Sequence, residues 1–155
     1  MLVISGFYHR MHSMNHEQHA NAQEDCVFCK IVKGELPAHK LYEDEFTFAF
    51  LNNSPTSPGH ALVIPKDHFE NIYTTPTELY VRVQMTVQKI ALAVRNAVDA
   101  DGINIIINNE AAAGQVVFHS HVHIRTKSNN TRRPIPKKTI FFQTRPHKNS
   151  DYFQT

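Results

Sequence analysis

The chain has 155 residues, 41% hydrophobic and 19% charged, which suits one domain with a core of its own. No apolar run reaches the 18 residues a membrane-spanning helix needs, Met1-Leu-Val-Ile is too short for a secretory signal, and two cysteines make no disulfide framework, so a soluble cytoplasmic protein is expected. The net charge of +2 divides unevenly, −5 over residues 1–124 and +7 over residues 125–155.

Residues 1–25 are rich in His, Asn and Gln and keep no hydrophobic period, so a disordered leader is expected there. His9, His12, His16 and His19 fall at helical spacing, but nothing apolar would hold such a helix down. Cys26-Val-Phe-Cys29 then opens a domain-like stretch. Two thiols at this spacing are half of a tetrahedral zinc site, with His, Asp or Glu left to complete it. A redox pair and plain buried thiols are the other readings; no strand precedes the motif, which counts against the redox pair. His39 reads as a surface residue in a loop.

Residues 46–51, rich in aromatics, predict a strand closed by the turn-prone residues 52–59. Ala61-Leu-Val-Ile-Pro65 predicts a short buried strand stopped by proline. It delivers His68 just past its end, while His60 at its entrance packs or caps. Thr75-Pro-Thr-Glu78 has the form of a capping box with Pro76 at the first helical position, and predicts a helix over 76–100. Leu79, Val83, Val87, Ile90, Val94 and Val98 follow as one apolar stripe. Asp101-Gly102 supplies a helix stop. A β-branched run predicts an inner strand over 103–108.

Strict alternation predicts a strand over 116–125. Val116, Phe118, Ser120, Val122 and Ile124 take one face; Val117, His119, His121, His123 and Arg125 take the other. Alternate strand residues lie about 6.6–6.8 Å apart, so three histidines in a row are awkward for one metal. A division of labour is expected: one end histidine for structure, the middle one for chemistry, the other end for support. Beyond Arg125 comes a basic tail, 126–155, where only residues 139–143 suggest a strand. It reads as a solvated segment or as a contact for nucleic acid.

Four stretches taken together, Cys26-Val-Phe-Cys-Lys-Ile-Val-Lys-Gly-Glu-Leu-Pro37, Leu41-Tyr-Glu-Asp-Glu45, Pro58-Gly-His-Ala-Leu-Val-Ile-Pro-Lys-Asp-His68 and Gly114-Gln-Val-Val-Phe-His-Ser-His-Val-His-Ile124, resemble the histidine-triad family. Within it they are similar to the zinc-containing bacterial branch of nucleotide phosphoramidase and dinucleoside polyphosphate hydrolase-like proteins. The resemblance runs from about residue 26 to 124 and implies a domain over 26–125. It implies an α+β fold, a five-stranded antiparallel sheet with one long helix, and a homodimer that joins two sheets.

The resemblance also implies a nucleotide hydrolase in which His121 attacks the α-phosphorus and forms a nucleotidyl-histidine. His123 orients and polarises, and Gln115 helps hold the phosphoryl oxygens. His119 joins Cys26, Cys29 and His68 on a structural zinc, and Asn52 and Asn109 join Gln115 in binding substrate. Three positions depart from the family pattern: Asn52 replaces an Asp, Glu110 stands where Gly is common, and Ile124-Arg-Thr-Lys127 replaces Ile-Pro-Arg. An amide at 52 loses charge-assisted bonds to ribose hydroxyls. Two rival readings are a metallohydrolase using His119 and His121, and a zinc-stabilised binding module whose basic tail contacts nucleic acid.

Overall fold

The computed structural model describes residues 24–129. The leader up to residue 23, the basic tail from residue 130 and the strand expected at 139–143 lie outside the described residues. Elements run α1 (Val27–Val32), β1 (Lys40–Glu43), β2 (Thr47–Leu51), β3 (Ala61–Pro65), α2 (Thr77–Ala97), β4 (Gly102–Ile106), a 3-10 turn (Ala111–Ala113) and β5 (Val122–Lys127). The strands form one antiparallel sheet in the order β1-β2-β3-β5-β4. The last strand is therefore an inner one, zipped between β3 and β4. As expected, the fold is α+β with five antiparallel strands and one long helix.

Both faces of the sheet are covered. On one side Ala49, Ala61, Val63, Val122 and Ile124 pack against Val83, Val87, Ile90 and Val94 of α2. On the other, Phe48, Phe50, Leu62 and Ile64 pack against Cys26, Phe28, Cys29 and Ile31 of the α1 segment. This double cover is why every residue of β3 is buried and why its sequence is an unbroken apolar run. The helix on the second face, α1, went unread in the sequence, and so did the polar edge strand β1.

Four expectations need correction. The strand expected as an inner one over 103–108 is β4, Gly102–Ile106, at the edge of the sheet with β5 as its one neighbour; a β-branched run signals a strand and not its place in the order. The strand over 116–125 exists only from Val122 to Lys127. Upstream, backbone groups bond to loops instead of a ladder: Ser120 N–H donates to the Phe69 carbonyl, and the Val117 carbonyl accepts from Gln115 Nε2. The capping box does not form. Pro76 is the N-cap and has no side-chain bond, while the Thr75 hydroxyl donates to the Asn71 carbonyl at 2.7 Å. The helix stop comes earlier than Gly102, at Asp99, whose φ is +52°. Ala100 N–H bonds to the Arg95 carbonyl and Asp99 N–H to that of Asn96, the paired closure of a Schellman ending.

Gly59 joins the 52–60 loop to α2. Its φ is +70°, and a Cβ there would sit 2.8 Å from Val94 Cγ1 and 3.2 Å from Val98 Cγ1. Gly59→Ala is expected to lower stability by about 1–3 kcal/mol through strain and overpacking. Urea unfolding checks this as a fall in the midpoint with the slope unchanged.

Candidate functional site

The three histidines of the run come to lie in three different settings. His119 is fully buried in the bend before β5. Its Nε2–H donates to the Pro65 carbonyl at 3.0 Å, which leaves Nδ1 as an acceptor. That Nδ1 lies 3.5 Å from both Cys26 Sγ and Cys29 Sγ, and His68 Nδ1 lies 3.3 Å from Cys29 Sγ. The four ligand atoms all sit within 4.8 Å of one another. A tetrahedron with Zn–S near 2.3 Å and Zn–N near 2.0–2.1 Å has S···N edges of about 3.5 Å. The donor set and its spacing thus fit a metal ion, on the four residues expected from the sequence.

The thiols are unequal. Burial raises Cys26, but its side-chain contacts with the His119 and His68 rings outweigh it and bring it down to about 5. Burial and the adjoining Cys26 push Cys29 up to about 12. The two thiols are thus pushed in opposite directions, and a bound divalent cation would take both sulfurs deprotonated. His68 Nε2 is buried without a hydrogen-bond partner among the described residues.

His121 is 5% exposed and directs Nδ1–H onto the His119 carbonyl at 2.6 Å. Its Nε2 therefore carries the lone pair. Burial holds its pKa below the ordinary imidazole range, against the pull of that carbonyl, so the ring is neutral at pH 7 and nucleophilic. Phe28 meets its ring edge-on at 5.3 Å.

His123 lies on β5 and touches His60, whose Nε2 is 3.0 Å from His123 Nδ1. The Thr56 backbone N–H donates to His60 Nδ1 at 3.2 Å. His60 must then donate through Nε2 to His123 Nδ1, and His123 keeps its proton on Nε2. A backbone amide in the 52–60 loop thus sets the tautomer of His123 two rings away. Burial first, then His121, His60 and Arg125, bring His123 down to about 4. Burial and then Arg125 hold His60 below its usual range. Sequence reasoning gave His60 no more than a packing or capping role. The signal available was position alone: it enters β3 beside the strand end that carries Asn52.

Asn52 accepts Ser54 N–H at 2.9 Å on Oδ1, and its Nδ2 lies 3.5 Å from the His60 ring nitrogens. With His60 it lines a cavity of about 370 Å³ formed by the 52–60 loop. His121 is not in that lining; its ring meets that of His123 edge-on at 4.9 Å.

Gln115 is buried and fully engaged by backbone. Nε2 donates to the Glu70 and Val117 carbonyls, and Oε1 accepts Glu110 N–H at 2.8 Å. With its donors and acceptor so used, the amide holds the loop in place of the direct phosphoryl contact expected of it. Asn109 accepts Ile72 N–H at 2.9 Å, and likewise ties the loop to the segment before α2. Glu110 is exposed and turns its carboxylate to Asn71 Nδ2 at 2.7 Å. His39 is exposed, as expected.

The sequence matches the HIT domain family over residues 33–130. Among similar proteins, Protein hit of Bacillus subtilis is 48% identical over 101 residues, covering 65% of this chain and 70% of that protein. Adenylylsulfatase HINT3 of Arabidopsis thaliana is 46% identical over 102 residues, 66% of this chain. The match spans only about half, 52%, of the Arabidopsis protein. The crystal structure of a Zn-bound histidine triad family protein from Mycobacterium smegmatis superposes with a TM-score of 0.68 at 42% identity, covering 71% of this chain and 80% of that one.

Proposed function

The chain belongs to the HIT family, and on that premise we propose that it hydrolyses a nucleotide at the α-phosphorus through a nucleotidyl intermediate on His121. The observation that carries the reading is the single hydrogen bond from His121 Nδ1–H to the His119 carbonyl. It fixes the one tautomer that can attack, and aims Nε2 away from the carbonyl it leans on. The Arabidopsis relative's name, an adenylylsulfatase, is in keeping with a nucleotide substrate.

In the first step Nε2 forms a P–N bond as the bond from phosphorus to the leaving group breaks and its electron pair departs with that group. The Nδ1 proton stays on the ring, held by the His119 carbonyl. In the second step water attacks phosphorus, the P–N pair returns to Nε2, and a proton from the water passes to solvent. One difficult displacement becomes two easier ones. His123, with its proton on Nε2, is placed to donate a hydrogen bond to a phosphoryl oxygen. Asn52 offers its amide to the ribose. Gln115 and Asn109 act on substrate through the loop they hold.

Cys26, Cys29, His68 and His119 would hold zinc, which supplies no open coordination position when four protein ligands close it and so acts structurally. Its contribution is to lock the bend that carries His119, and with it the carbonyl that orients His121.

A homodimer is part of the proposal. β4 is a sheet edge, and Ile105 on its α2 side is 44% exposed. Val81, Met85 and Leu92 make an exposed apolar stripe along α2 at 50%, 55% and 60%. Unpaired edges and apolar stripes of this kind are what a second copy covers.

Incubation with adenosine 5′-phosphoramidate followed by intact mass should find a nucleotidyl adduct on wild type and none on His121→Ala, with turnover reduced at least about 10³-fold. An adduct that persists in the variant overturns the assignment. Cys29→Ser, or prolonged chelation, should remove about one zinc per chain by metal analysis and lower the melting temperature before it lowers activity. Wild type should sediment as a dimer at micromolar concentration, and Leu92→Lys with Ile105→Lys as a monomer.

A further inference from the structure

The sheet face that carries His123 also carries a cation with no assigned partner. Alternation along β5 buries Val122, Ile124 and Thr126 toward α2 and leaves His123 and Arg125 half-buried on the opposite face. The register pairs Leu62 with His123 and Ala61 with Ile124. One step further sets His60 beside Arg125, and Asn104 flanks Arg125 from β4. Asn52 N–H bonds to the His60 carbonyl, so Asn52, His60, Arg125 and Asn104 form a row directly adjoining His123.

Among the described residues, Arg125 Nε is buried with no hydrogen-bond partner and the guanidinium makes no ion pair. A buried donor left unmatched within the protein is costly. Its charge already reaches both His60 and His123. A planar fork of donors next to two neutral imidazoles suits a tetrahedral oxyanion, which it takes in bidentate fashion.

We propose that Arg125 is a specificity-determining residue that binds the anionic leaving group of the nucleotide, so that the enzyme prefers anhydrides, with phosphate or sulfate as the departing acid, over phosphoramidates. This rests on the reading of His121 as nucleophile. When the bridging P–O bond of an anhydride breaks, its electron pair goes to the departing oxyanion, whose charge the guanidinium meets. When the P–N bond of a phosphoramidate breaks, its electron pair goes to the nitrogen, which takes a proton from solvent and leaves as a neutral amine, which gives Arg125 no negative charge to hold.

The test compares kcat/KM of wild type, Arg125→Met and Arg125→Lys on adenosine 5′-phosphosulfate, diadenosine tetraphosphate and adenosine 5′-phosphoramidate. Arg125→Met should lose about 10–100-fold on the two anhydrides and under about threefold on the phosphoramidate, with Arg125→Lys recovering part of the loss. Equal losses on all three substrates, or none, overturn the proposal. A loss on the sulfate anhydride alone or on the polyphosphate alone supports it and names the departing acid. Binding gives a readout that survives failure of the His121 reading: by calorimetry, wild type should hold ADP at least tenfold more tightly than AMP, and Arg125→Met should flatten that ratio. A ratio the substitution leaves unchanged overturns the proposal whether or not any substrate turns over.

Discussion

His119 is the residue on which the site's geometry depends, because three separate groups of one amino acid are tied to three parts of the fold. Its Nε2–H is held by the Pro65 carbonyl at the end of β3. Its Nδ1 faces both thiols of the α1 segment. Its carbonyl accepts His121 Nδ1–H. A fully buried ring cannot swing to relieve strain at one of these ties without disturbing the others. The metal-ligand cluster and the proposed nucleophile are therefore mechanically one unit, and the hydrogen bonds behind a ligand orient it much as the ligand orients the metal. Phe28 extends that unit, since its ring meets His119 at 5.8 Å and His121 at 5.3 Å.

A second clasp holds the approach to the histidines. Gln115 joins the Glu70 and Val117 carbonyls to Glu110 N–H, and Asn71 joins Glu110 to the turn before α2 through Tyr73 N–H and Thr74 N–H. Glu110 sits at φ 73°, ψ 158°, a region that is essentially glycine's and costs other residues about 1–3 kcal/mol. The carboxylate's bond to Asn71 is the compensation that a glycine at this position would lack. Glu110 thus holds this backbone conformation while directing its negative charge to an amide donor.

How much was legible in the sequence followed from which forces are local. The β3 run and the α2 stripe were readable because burial imposes its own period: Leu79, Val83, Val87, Ile90 and Val94 are all buried. Cys26 and Cys29 were readable from their spacing as half of a metal site, and the resemblance supplied His68 and His119, which the fold brings together with them into a cluster that could hold a metal ion. The strand drawn back to Val116 was wrong because alternation records which side a residue faces and not whether its backbone finds a ladder; Gln115 and the Phe69 carbonyl took those bonds instead. The helix ends were misjudged for a related reason. Thr75 had a better acceptor in the Asn71 carbonyl than a cap position offered, and Asp99 rather than a glycine took the left-handed turn. His60 was missed because its meaning comes from a residue 63 positions away.

One amino-acid type takes three roles here because an imidazole's second nitrogen decides what its first can do. His119 gives its proton to a carbonyl and presents Nδ1 to sulfur. His121 gives its proton to a carbonyl from the opposite nitrogen, and so presents Nε2. His123 accepts from His60 and keeps a proton on Nε2, a donor where its neighbour is an acceptor. Each outcome traces to a main-chain group: the Pro65 carbonyl, the His119 carbonyl and, through His60, the Thr56 amide. Main-chain groups do not titrate and move only with the fold. The tautomers are consequently as fixed as the sheet itself, while the burial that lowers His121 and His123 keeps both rings neutral. Neutral rings cannot offset the negative charge that a departing acid carries, so on this face the proposed role of meeting it goes to a residue that stays protonated at every relevant pH, and Arg125 stands one row away.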